Sequence, residues 1–466
     1  MTRKYDAVII GAGMSGLAAG IRLAMYDKKV IILEKHNISG GLNSYYRRRI
    51  PSTKEMVNFD VGLHALTNFA KKGERKKPLT KLLKQLRIPY DALNLKEQTY
   101  SLIKFKSASL KFSNDFELLE SEIKKIFPSE IDNFVRFVSY VSEYNEVDLK
   151  AKYLPARSVL NEYFEKELLK EMLIAPLLIY GSAWENDMDF SQFVIMFKSL
   201  YLEGFSRPVG GVRTILDLLL KRLEEVGGEL KFNAPVEAIE CTDCVKGVRL
   251  KNGELIESSL VFSSAGLPET YSMVSSKEKI DSDPRVGKLS FMESIILTEN
   301  KSFLKDFDPT IVFYNNADTY RYAKAHGLYD STSAVFCLPD NYERENENGH
   351  GVIRVTYMAN FELWNALEKS DYKEKKELVL KSAIDLSENL LGFKINPIFS
   401  DVFSPTTIRR YTGHFDGTVY GSIDKRRDGK SDIDGLYIIG TDQGFLGIAG
   451  SMLSGISMAN LYGLME

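Results

Sequence analysis

The chain has 466 residues, of which 44% are hydrophobic and 27% charged, and a formal net charge of -2. This composition excludes a disordered chain, a disulfide-stapled mini-protein and a nucleic-acid binder held by bulk positive charge. The length corresponds to about three domains at ~150 residues each, and no apolar run reaches the ~20 residues of a membrane-spanning helix.

The N-terminal segment predicts a strand–helix–strand unit. Residues 6–10 form a short β-branched run typical of a buried parallel strand, and residues 30–33 form a second one that ends at Glu34. Between them, apolar residues recur with helical spacing. The N-terminus has basic residues followed by an apolar run, as a signal peptide does. Because Asp6 interrupts that pattern, we interpret the segment as the first strand of the fold.

A glycine-rich turn joins the first strand to the helix. Gly11, Gly13 and Gly16 form G-x-G-x-x-G, in which they allow the tight turn, the approach of a pyrophosphate and close helix–strand packing. Glu34 lies about 20 residues further on, where an acid accepts hydrogen bonds from ribose hydroxyls. The sequence therefore predicts an adenine-dinucleotide site. The alternative is a packing turn with Glu34 as a solvated strand end.

The rest of the chain alternates between two kinds of pattern. Residues 71–206 predict a mostly helical insertion with a few short strands, and residues 210–266 return to an α/β pattern. Residues 285–400 mix strands and helices, and residues 435–464 read as strand, glycine-rich turn and helix. Dinucleotide-type segments thus occur at the start, middle and end of the chain, separated by two insertions.

Two further features favour FAD over NAD. The glycine pair Gly40-Gly41 follows the second strand, where a plain NAD dehydrogenase would enter its next βα unit. Near the C-terminus, a strand leads to Asp442, and a helix begins at Gly447. That helix N-terminus would stabilise a reduced, anionic flavin ring. Asp442 is expected to bind a ribityl or phosphate-adjacent hydroxyl, with a turn aspartate as the alternative.

Together, these motifs resemble those of the FAD-dependent amine oxidase and phytoene desaturase superfamily. Within it, residues 58–64 are similar to the FD-x-G-x-H segment of retinol saturases, close relatives of carotenoid isomerases. The resemblance implies an α/β fold with a Rossmann-type FAD-binding domain in three pieces, of the glutathione-reductase type, and an interleaved α+β substrate domain. The FAD domain would comprise residues 1–70, 205–290 and 402–466. The substrate domain would comprise residues 71–204 and 291–401.

The resemblance also implies a set of site residues, with Val236 meeting the adenine through its backbone. The expected FAD site consists of Gly11, Gly13, Met14, Ser15, Gly16, Glu34, Lys35, Gly40, Gly41, Leu42, Asn43, Gly62, Leu63, His64, Val236, Ala265, Gly440, Thr441, Asp442, Gly447, Ile448 and Ala449. Many relatives carry arginine after the glycine pair, and Leu42-Asn43 here leave the chemistry at the flavin face open. His64 is the candidate catalytic residue, as a donor to the ring or a proton shuttle. Its alternative is a cofactor-positioning or core histidine.

Three functions stay open at this stage. The first is an FAD-dependent oxidoreductase that desaturates, saturates or isomerises C–C/C=C bonds of an isoprenoid, carotenoid-like or other lipid-like substrate. The second is a flavin amine oxidase that releases hydrogen peroxide, and the third is a non-enzymatic prenyl-binding escort protein of the same fold. The aromatic run over residues 188–201 suits either an apolar substrate tunnel or an ordinary core.

The expected partners are a small apolar substrate and an unidentified electron acceptor or donor, without nucleic acid or metal. The histidines lack metal-ligand spacing, and Cys241 and Cys244 form a single C-x-x-C between two predicted strands, which does not favour zinc. The three cysteines fit a reducing compartment, so a cytoplasmic location is expected. The basic residues in 47–49 and 71–87 suit either contact with an anionic membrane surface or a solvated face.

Overall fold

A computed structural model describes residues 3–62, 64–275, 283–343 and 349–465. The strands are β1 (Arg3–Lys4), β2 (Ala7–Ile10), β3 (Val30–Leu33), β4 (Tyr45–Arg49), β5 (Met56–Asp60), β6 (Leu95–Glu97), β7 (Ser101–Lys104), β8 (Ser109–Phe112), β9 (Ser206–Pro208), β10 (Glu229–Lys231), β11 (Val236–Cys241), β12 (Val245–Leu250), β13 (Leu255–Glu257), β14 (Val261–Ser263), β15 (Ser290–Thr298), β16 (Ile311–Asn315), β17 (Ser333–Cys337), β18 (Gly351–Ala359), β19 (Pro397–Phe403) and β20 (Leu436–Ile438). The α-helices are α1 (Met14–Ala24), α2 (Pro78–Leu86), α3 (Phe116–Ile126), α4 (Ile131–Glu143), α5 (Ala156–Tyr163), α6 (Glu167–Gly181), α7 (Phe190–Phe197), α8 (Val212–Glu225), α9 (Leu267–Ser272), α10 (Phe361–Asn365), α11 (Lys369–Leu391), α12 (Pro405–Thr412) and α13 (Gly447–Met458).

A parallel sheet of five strands, in the order β10-β3-β2-β14-β20, forms the centre of the first domain. Strands β2, β3, β14 and β20 are buried along their whole length, as expected for short apolar strands covered on both faces. Helices α1, α8 and α13 pack on one face of the sheet. The antiparallel strands β11–β13, with β1 paired to β13, cover the other face. The predicted Rossmann-type α/β fold is confirmed.

A seven-stranded sheet, in the order β19-β15-β18-β17-β16-β7-β8, forms the centre of the second domain. Its neighbouring strands are antiparallel except for β7 and β16, which are parallel. Helices α3–α7 pack over one face, and α10 and α11 pack over the other. Both insertions contribute strands to this sheet, so the two chain segments form one domain.

Helix α2 and the aromatic run over residues 188–201 pack in ways that the local sequence pattern did not decide. Helix α2 lies inside the segment assigned to the substrate domain, but its leucines pack with α1 and α13 of the first domain. The aromatic run over residues 188–201 belongs to the core: Met188, Phe193 and Tyr201, for example, are buried, and no member of the run lines a described cavity. Within the described ranges, no helix combines the length and the apolar character that crossing a bilayer requires.

Candidate cofactor and substrate site

A cleft of about 900 Å³ runs along the carboxyl ends of strands β2, β3 and β14. In open parallel sheets, this edge is where ligands bind. Most of the predicted cofactor residues line it: Gly11, Gly13, Met14, Ser15, Glu34, Lys35, Gly40, Gly41, Leu42, Asn43, Val236, Ala265, Gly440 and Thr441. The structure therefore brings together residues from the start, middle and end of the chain.

The N-terminus of α1 forms one wall of the cleft. Its N-cap is Gly13, which has an ordinary φ of -75°, and a Cβ added there would meet nothing within 4 Å. The first intrahelical hydrogen bond runs from the Leu17 amide to the Gly13 carbonyl, so the amides before Leu17 have no partner within the helix. The first turn carries no acidic residue. This helix end therefore suits a phosphate group.

Glu34 lies at the end of β3 with its carboxylate in a fixed position. Its two oxygens each accept a backbone hydrogen bond of 2.9 Å, from the amides of Ala12 and His36. A carboxylate has about four acceptor positions, so two backbone bonds leave capacity for hydroxyl donors. The residue is buried in the wall of the cleft, where it is suited to ribose hydroxyls.

Three of the predicted site residues line neither this cleft nor the inner cavity that adjoins it. Gly16 faces the backbone of Gly11, whose carbonyl oxygen would be 2.0 Å from an added Cβ. Ala449 is buried in the core between sheet and helices. The side chain of Asp442 is buried in the protein. Leu63 lies outside the described residues.

The buried side chain of Asp442 connects three chain segments next to the cleft. Its carboxylate accepts hydrogen bonds from the amides of Leu267, at 2.6 Å, and Ser422, at 2.8 Å. The buried Lys425 ammonium lies 3.0 Å from the same side chain. Burial lowers the pKa of Lys425, and the charge of Asp442 opposes that effect. The geometry gives Asp442 a bracing role, and its contact with a cofactor hydroxyl stays a prediction.

The cleft continues into an inner cavity of about 190 Å³ between the two domains. The cleft and the inner cavity share part of their lining: Leu42, Asn43, Val61, Phe403, Ile408, Thr441 and Ser451. Four further predicted residues, Gly62, His64, Gly447 and Ile448, line the inner cavity alone. The N-terminus of α13 thus reaches this cavity, and the seven-stranded sheet forms the opposite wall.

A network of polar side chains crosses the wall formed by the sheet. His64 Nε2 lies 3.2 Å from Glu293 Oε1 and 3.4 Å from Thr356 Oγ1. Arg354 donates to both oxygens of Glu293, at 2.6 and 2.9 Å, and to the Val61 carbonyl. Glu293 on β15 is opposite Thr356 on β18, and Arg354 is two residues away on the same face. The register of these two strands therefore sets the network.

The environment fixes the charges in this network. Burial would raise the pKa of Glu293, but the charge of Arg354 and the hydrogen bond from His64 outweigh it and hold that pKa at about 2. Burial lowers the pKa of His64, and the Glu293 carboxylate offsets this only in part. At neutral pH, an ionised Glu293 therefore faces a neutral His64.

A second ion pair holds the segment that carries His64. Arg207 on β9 donates to the Asp60 carboxylate and, at 3.4 Å, to the His64 carbonyl. The Cys337 thiol donates to the same carbonyl at 3.4 Å, and burial raises its pKa to about 11. Asp60 and His64 are thus held by these contacts, and Gly62 lies close to Leu42, whose carbonyl oxygen would be 2.2 Å from a Cβ on Gly62.

Sequence reasoning missed Glu293, Arg354 and Thr356. A usable signal was present, because Glu293 and Arg354 are each the one charged residue of their strand, β15 or β18. A lone charge in such a strand indicates a buried pair or a site. Their meeting with His64 depends on long-range register, which local patterns do not reveal.

The remaining candidates lie elsewhere. Cys241 and Cys244 flank the turn between β11 and β12, and the Lys246 ammonium is 3.0 Å from the Cys244 sulfur. Neither cysteine lines the cleft or the inner cavity. Among the residues that the structure describes, no group of three or more His, Cys, Asp or Glu side chains is placed to hold a metal ion.

Comparisons with known proteins agree with this geometry. The model of the NAD(P)-binding Rossmann-like domain family matches residues 9–86. Prolycopene isomerase 1, chloroplastic, from an Oncidium hybrid cultivar is 25% identical across 98% of this chain and 83% of its own length. All-trans-retinol 13,14-reductase from Danio rerio is 24% identical across 98% and 85%. Phytoene desaturase (lycopene-forming) from Pseudescherichia vulneris is 25% identical across 57% and 56%.

Solved structures share the fold at lower identity. An oxidoreductase from Methanosarcina mazei has a TM-score of 0.67 at 14% identity, covering 98% of this chain and 100% of that one. Putrescine oxidase bound to putrescine has a TM-score of 0.61 at 15% identity, covering 99% of both chains. Rab GDI from Plasmodium falciparum has a TM-score of 0.55 at 13% identity, again covering 99% of both. The resemblance to the amine oxidase and phytoene desaturase superfamily is confirmed.

Proposed function

We propose that this chain is an FAD-dependent oxidoreductase that acts on C–C/C=C bonds of an apolar, isoprenoid-like substrate. The main support for this proposal is that a cleft suited to a dinucleotide opens into an inner cavity with a mostly apolar lining. The only acid in that lining, Glu293, is already paired with Arg354. A cavity of this kind favours an uncharged hydrocarbon segment over a charged ligand.

The residues along the cleft fit FAD. The amides at the start of α1 that lack a partner within the helix, with open space at Gly13, suit the pyrophosphate, and Glu34 suits the adenosine ribose. Val236 lines the cleft beyond Glu34, where the adenine is expected. The N-terminus of α13 at the inner cavity places a partial positive charge beside the expected flavin end. FAD, when bound, supplies hydride transfer.

The chain's own residues would orient the substrate and exclude water. Apolar side chains, including Ile179, Phe291, Val335 and Val419, line the inner cavity, and such a lining discourages ordered water. Its volume of about 190 Å³ accommodates a segment of a long chain at a time.

The names of the relatives support the substrate class and the bond type. They include a prolycopene isomerase, a retinol 13,14-reductase and a phytoene desaturase, whose names denote isomerisation, reduction and desaturation. All three reactions change C–C or C=C bonds of apolar polyenes. We extend this class of reaction and substrate to the present chain, with the direction left to experiment.

An amine oxidase is the second candidate, because putrescine oxidase shares the fold. Tyr180 and Tyr420 line the inner cavity, as aromatic residues do in many amine sites. Against it, an amine cation would find its only nearby acid, Glu293, held by Arg354. Hydrogen peroxide release with a panel of amines, in the absence of polyenes, would favour this candidate.

An escort protein without flavin is the third candidate, because Rab GDI also shares the fold. The open space at Gly13 and the fixed carboxylate of Glu34 are features of a working dinucleotide site and favour FAD binding instead. Failure of the purified protein to take up FAD would favour the escort role.

We extend the proposal to a cytoplasmic enzyme that contacts membranes peripherally, where apolar substrates reside. Arg47, Arg48 and Arg49 are exposed on β4, and Arg48 lies at the mouth of the cleft. Residues 71–76 add a second exposed basic stretch. Binding to anionic but not neutral liposomes in a flotation assay is expected. Equal absence of binding to both would remove the membrane contact, and the electron partner would then be sought among soluble carriers.

The proposed activity is tested with the FAD-loaded protein under anaerobic conditions. Polyene alcohols and hydrocarbons are added singly, and both the flavin spectrum and the extracted products are followed. We expect a polyene with one double bond gained, lost or isomerised, and no product from amines. Products from amines alone would contradict the proposal.

A further inference from the structure

The inner cavity carries a network of charged and polar side chains that the binding of an apolar substrate does not require. The cavity is mostly apolar, but its sheet wall carries a buried carboxylate, a guanidinium and an imidazole in contact. Buried ion pairs contribute little net stability compared with apolar packing, because desolvation offsets their attraction. Their presence beside a substrate cavity therefore points to a chemical task.

The hydrogen bonds determine which nitrogen of His64 carries the proton. Glu293 is ionised and can only accept hydrogen bonds, so the Nε2 atom facing it at 3.2 Å must donate. Thr356 Oγ1, at 3.4 Å from Nε2, offers a second acceptor. In the neutral ring, Nδ1 then carries a lone pair, and no described residue hydrogen-bonds to Nδ1.

The other ionisable groups around His64 keep this arrangement stable. Arg354 neutralises Glu293, donating to both of its oxygens, and also donates to the Val61 carbonyl. Arg207 is paired with Asp60, and the Cys337 thiol is held neutral by its burial. Because the charges of these groups are paired, none of them favours the Nδ1–H tautomer of His64.

We propose that Glu293 and Arg354 are positioning residues that fix His64 as the neutral Nε2–H imidazole, so that Nδ1 exchanges one proton with the substrate in the inner cavity. This inference rests on the proposed function. It assigns the catalytic role to His64 and gives the two residues of the sheet wall the task of setting its tautomer.

Desaturation and saturation both require a group that exchanges a proton with the substrate. Desaturation removes a hydride and a proton from adjacent carbons, and FAD, when bound, would account for the hydride. The proton needs an acceptor, and His64 lines the cavity with an Nδ1 atom that is unprotonated in this tautomer. The imidazolium that forms keeps its Nε2 hydrogen bond to Glu293, as the histidine of a hydrolase triad keeps its hydrogen bond to aspartate. Saturation runs the same transfer in reverse.

Nitrogen NMR of the full chain, labelled at its histidines, tests the tautomer directly. The chain has five histidines, and His64→Gln identifies the His64 signals by their loss. At neutral pH, we expect protonated Nε2 and unprotonated Nδ1 in the wild type. Glu293→Gln should mix the tautomers, because an amide can donate as well as accept. Glu293→Asp keeps the charge that pairs with Arg354 and should retain the Nε2–H form.

Glu55→Gln provides the matched control. Glu55 Oε2 lies 2.9 Å from His350 Nε2 in an exposed pair, so this variant should change the His350 signals and leave those of His64 unchanged. A wild-type His64 with a protonated Nδ1, or His64 signals identical in wild type and Glu293→Gln, would overturn the proposal. If Glu293→Gln does not fold, the wild-type and Glu293→Asp spectra still decide the matter.

Kinetics of the FAD-loaded protein provide a second readout. His64→Gln should lower kcat by about 100-fold or more while FAD remains bound. Glu293→Asp should keep a larger share of kcat than Glu293→Gln, at similar KM. The NMR result does not depend on FAD or on turnover. A protein that binds no flavin would therefore contradict the proposed function while leaving the tautomer measurement intact.

Discussion

Replacing Gly13 with valine separates cofactor binding from folding more cleanly than any other change in the phosphate turn. The backbone φ of -75° is accessible to all residues, and a Cβ would meet no protein atom within 4 Å. Reduced freedom of the unfolded chain stabilises such a variant by about 0.4–1 kcal/mol, and the poorer N-cap offsets a similar amount. The free energy of unfolding should therefore change by no more than about 1 kcal/mol.

The same side chain occupies the space that the pyrophosphate needs. Losing about two charge-assisted hydrogen bonds from the helix amides, at roughly 1.5–3 kcal/mol each, weakens FAD binding by about 3–6 kcal/mol. That loss corresponds to roughly a 100- to 10,000-fold higher Kd. Titration of the apoprotein with FAD, followed by flavin fluorescence, measures Kd, and denaturant unfolding of the apoprotein measures stability.

Two further glycines provide contrasting controls. Gly16→Val places a Cβ 2.0 Å from the Gly11 carbonyl oxygen and should lose stability by about 1–3 kcal/mol or more through overpacking. Gly327→Val, where the nearest atom would be 3.7 Å away, should change neither property. An unchanged Kd in Gly13→Val, with the fold intact, would refute the assignment of the phosphate site.

Three other changes probe the rest of the account. Asp442→Asn removes the carboxylate that lies 3.0 Å from the buried Lys425 ammonium, so unfolding in denaturant should show a loss of about 3–5 kcal/mol; a loss below about 1 kcal/mol would contradict the bracing role. The pKa of Glu293, at about 2 in the folded chain, lies below its ordinary value, so this carboxylate stabilises the fold above about pH 4.5. That contribution of about 3 kcal/mol should disappear as pH falls toward 2, and Glu293→Gln should flatten this part of the stability profile; parallel profiles would argue against the ion pair. Val419→Phe narrows the inner cavity and should lower turnover by about tenfold or more with unchanged FAD uptake, whereas unaltered turnover would place the substrate elsewhere.

Local backbone chemistry made the geometry of the cleft predictable. The turn from β2 through Gly11 and Gly13 into α1 is built from adjacent residues, so its shape follows from their types and spacing. Glu34 is placed by the end of the next strand, which is also a local feature. The second glycine pair adjoins the first turn because the Gly40 amide donates to the Ala12 carbonyl at 2.8 Å.

Asp442 illustrates where local reasoning ends. Its position after β20 was predictable, but the direction of its side chain depends on Lys425 and on the amide of Leu267, which is 175 residues away in sequence. Similarly, His64 and Glu293 are 229 residues apart and meet only through the register of the seven-stranded sheet. Periodicity predicts that such strands exist, not which residues they bring together.

Helix α2 gives a third example, at the level of domains. Its leucines at helical spacing predicted a helix correctly, but not which core they would join. They pack against α1 and α13 of the first domain, although the composition changes already at residue 71. The domain boundary depends on tertiary packing, which no composition shift records.

The most direct test of the account is the absorption spectrum of the purified full chain after incubation with FAD and removal of unbound cofactor. We expect a bound flavin spectrum with about one flavin per chain. This spectrum should bleach on reduction and should be absent in Gly13→Val. A wild-type protein without flavin absorbance, folded and unable to take up FAD, would contradict the central claim that this chain is a flavoenzyme.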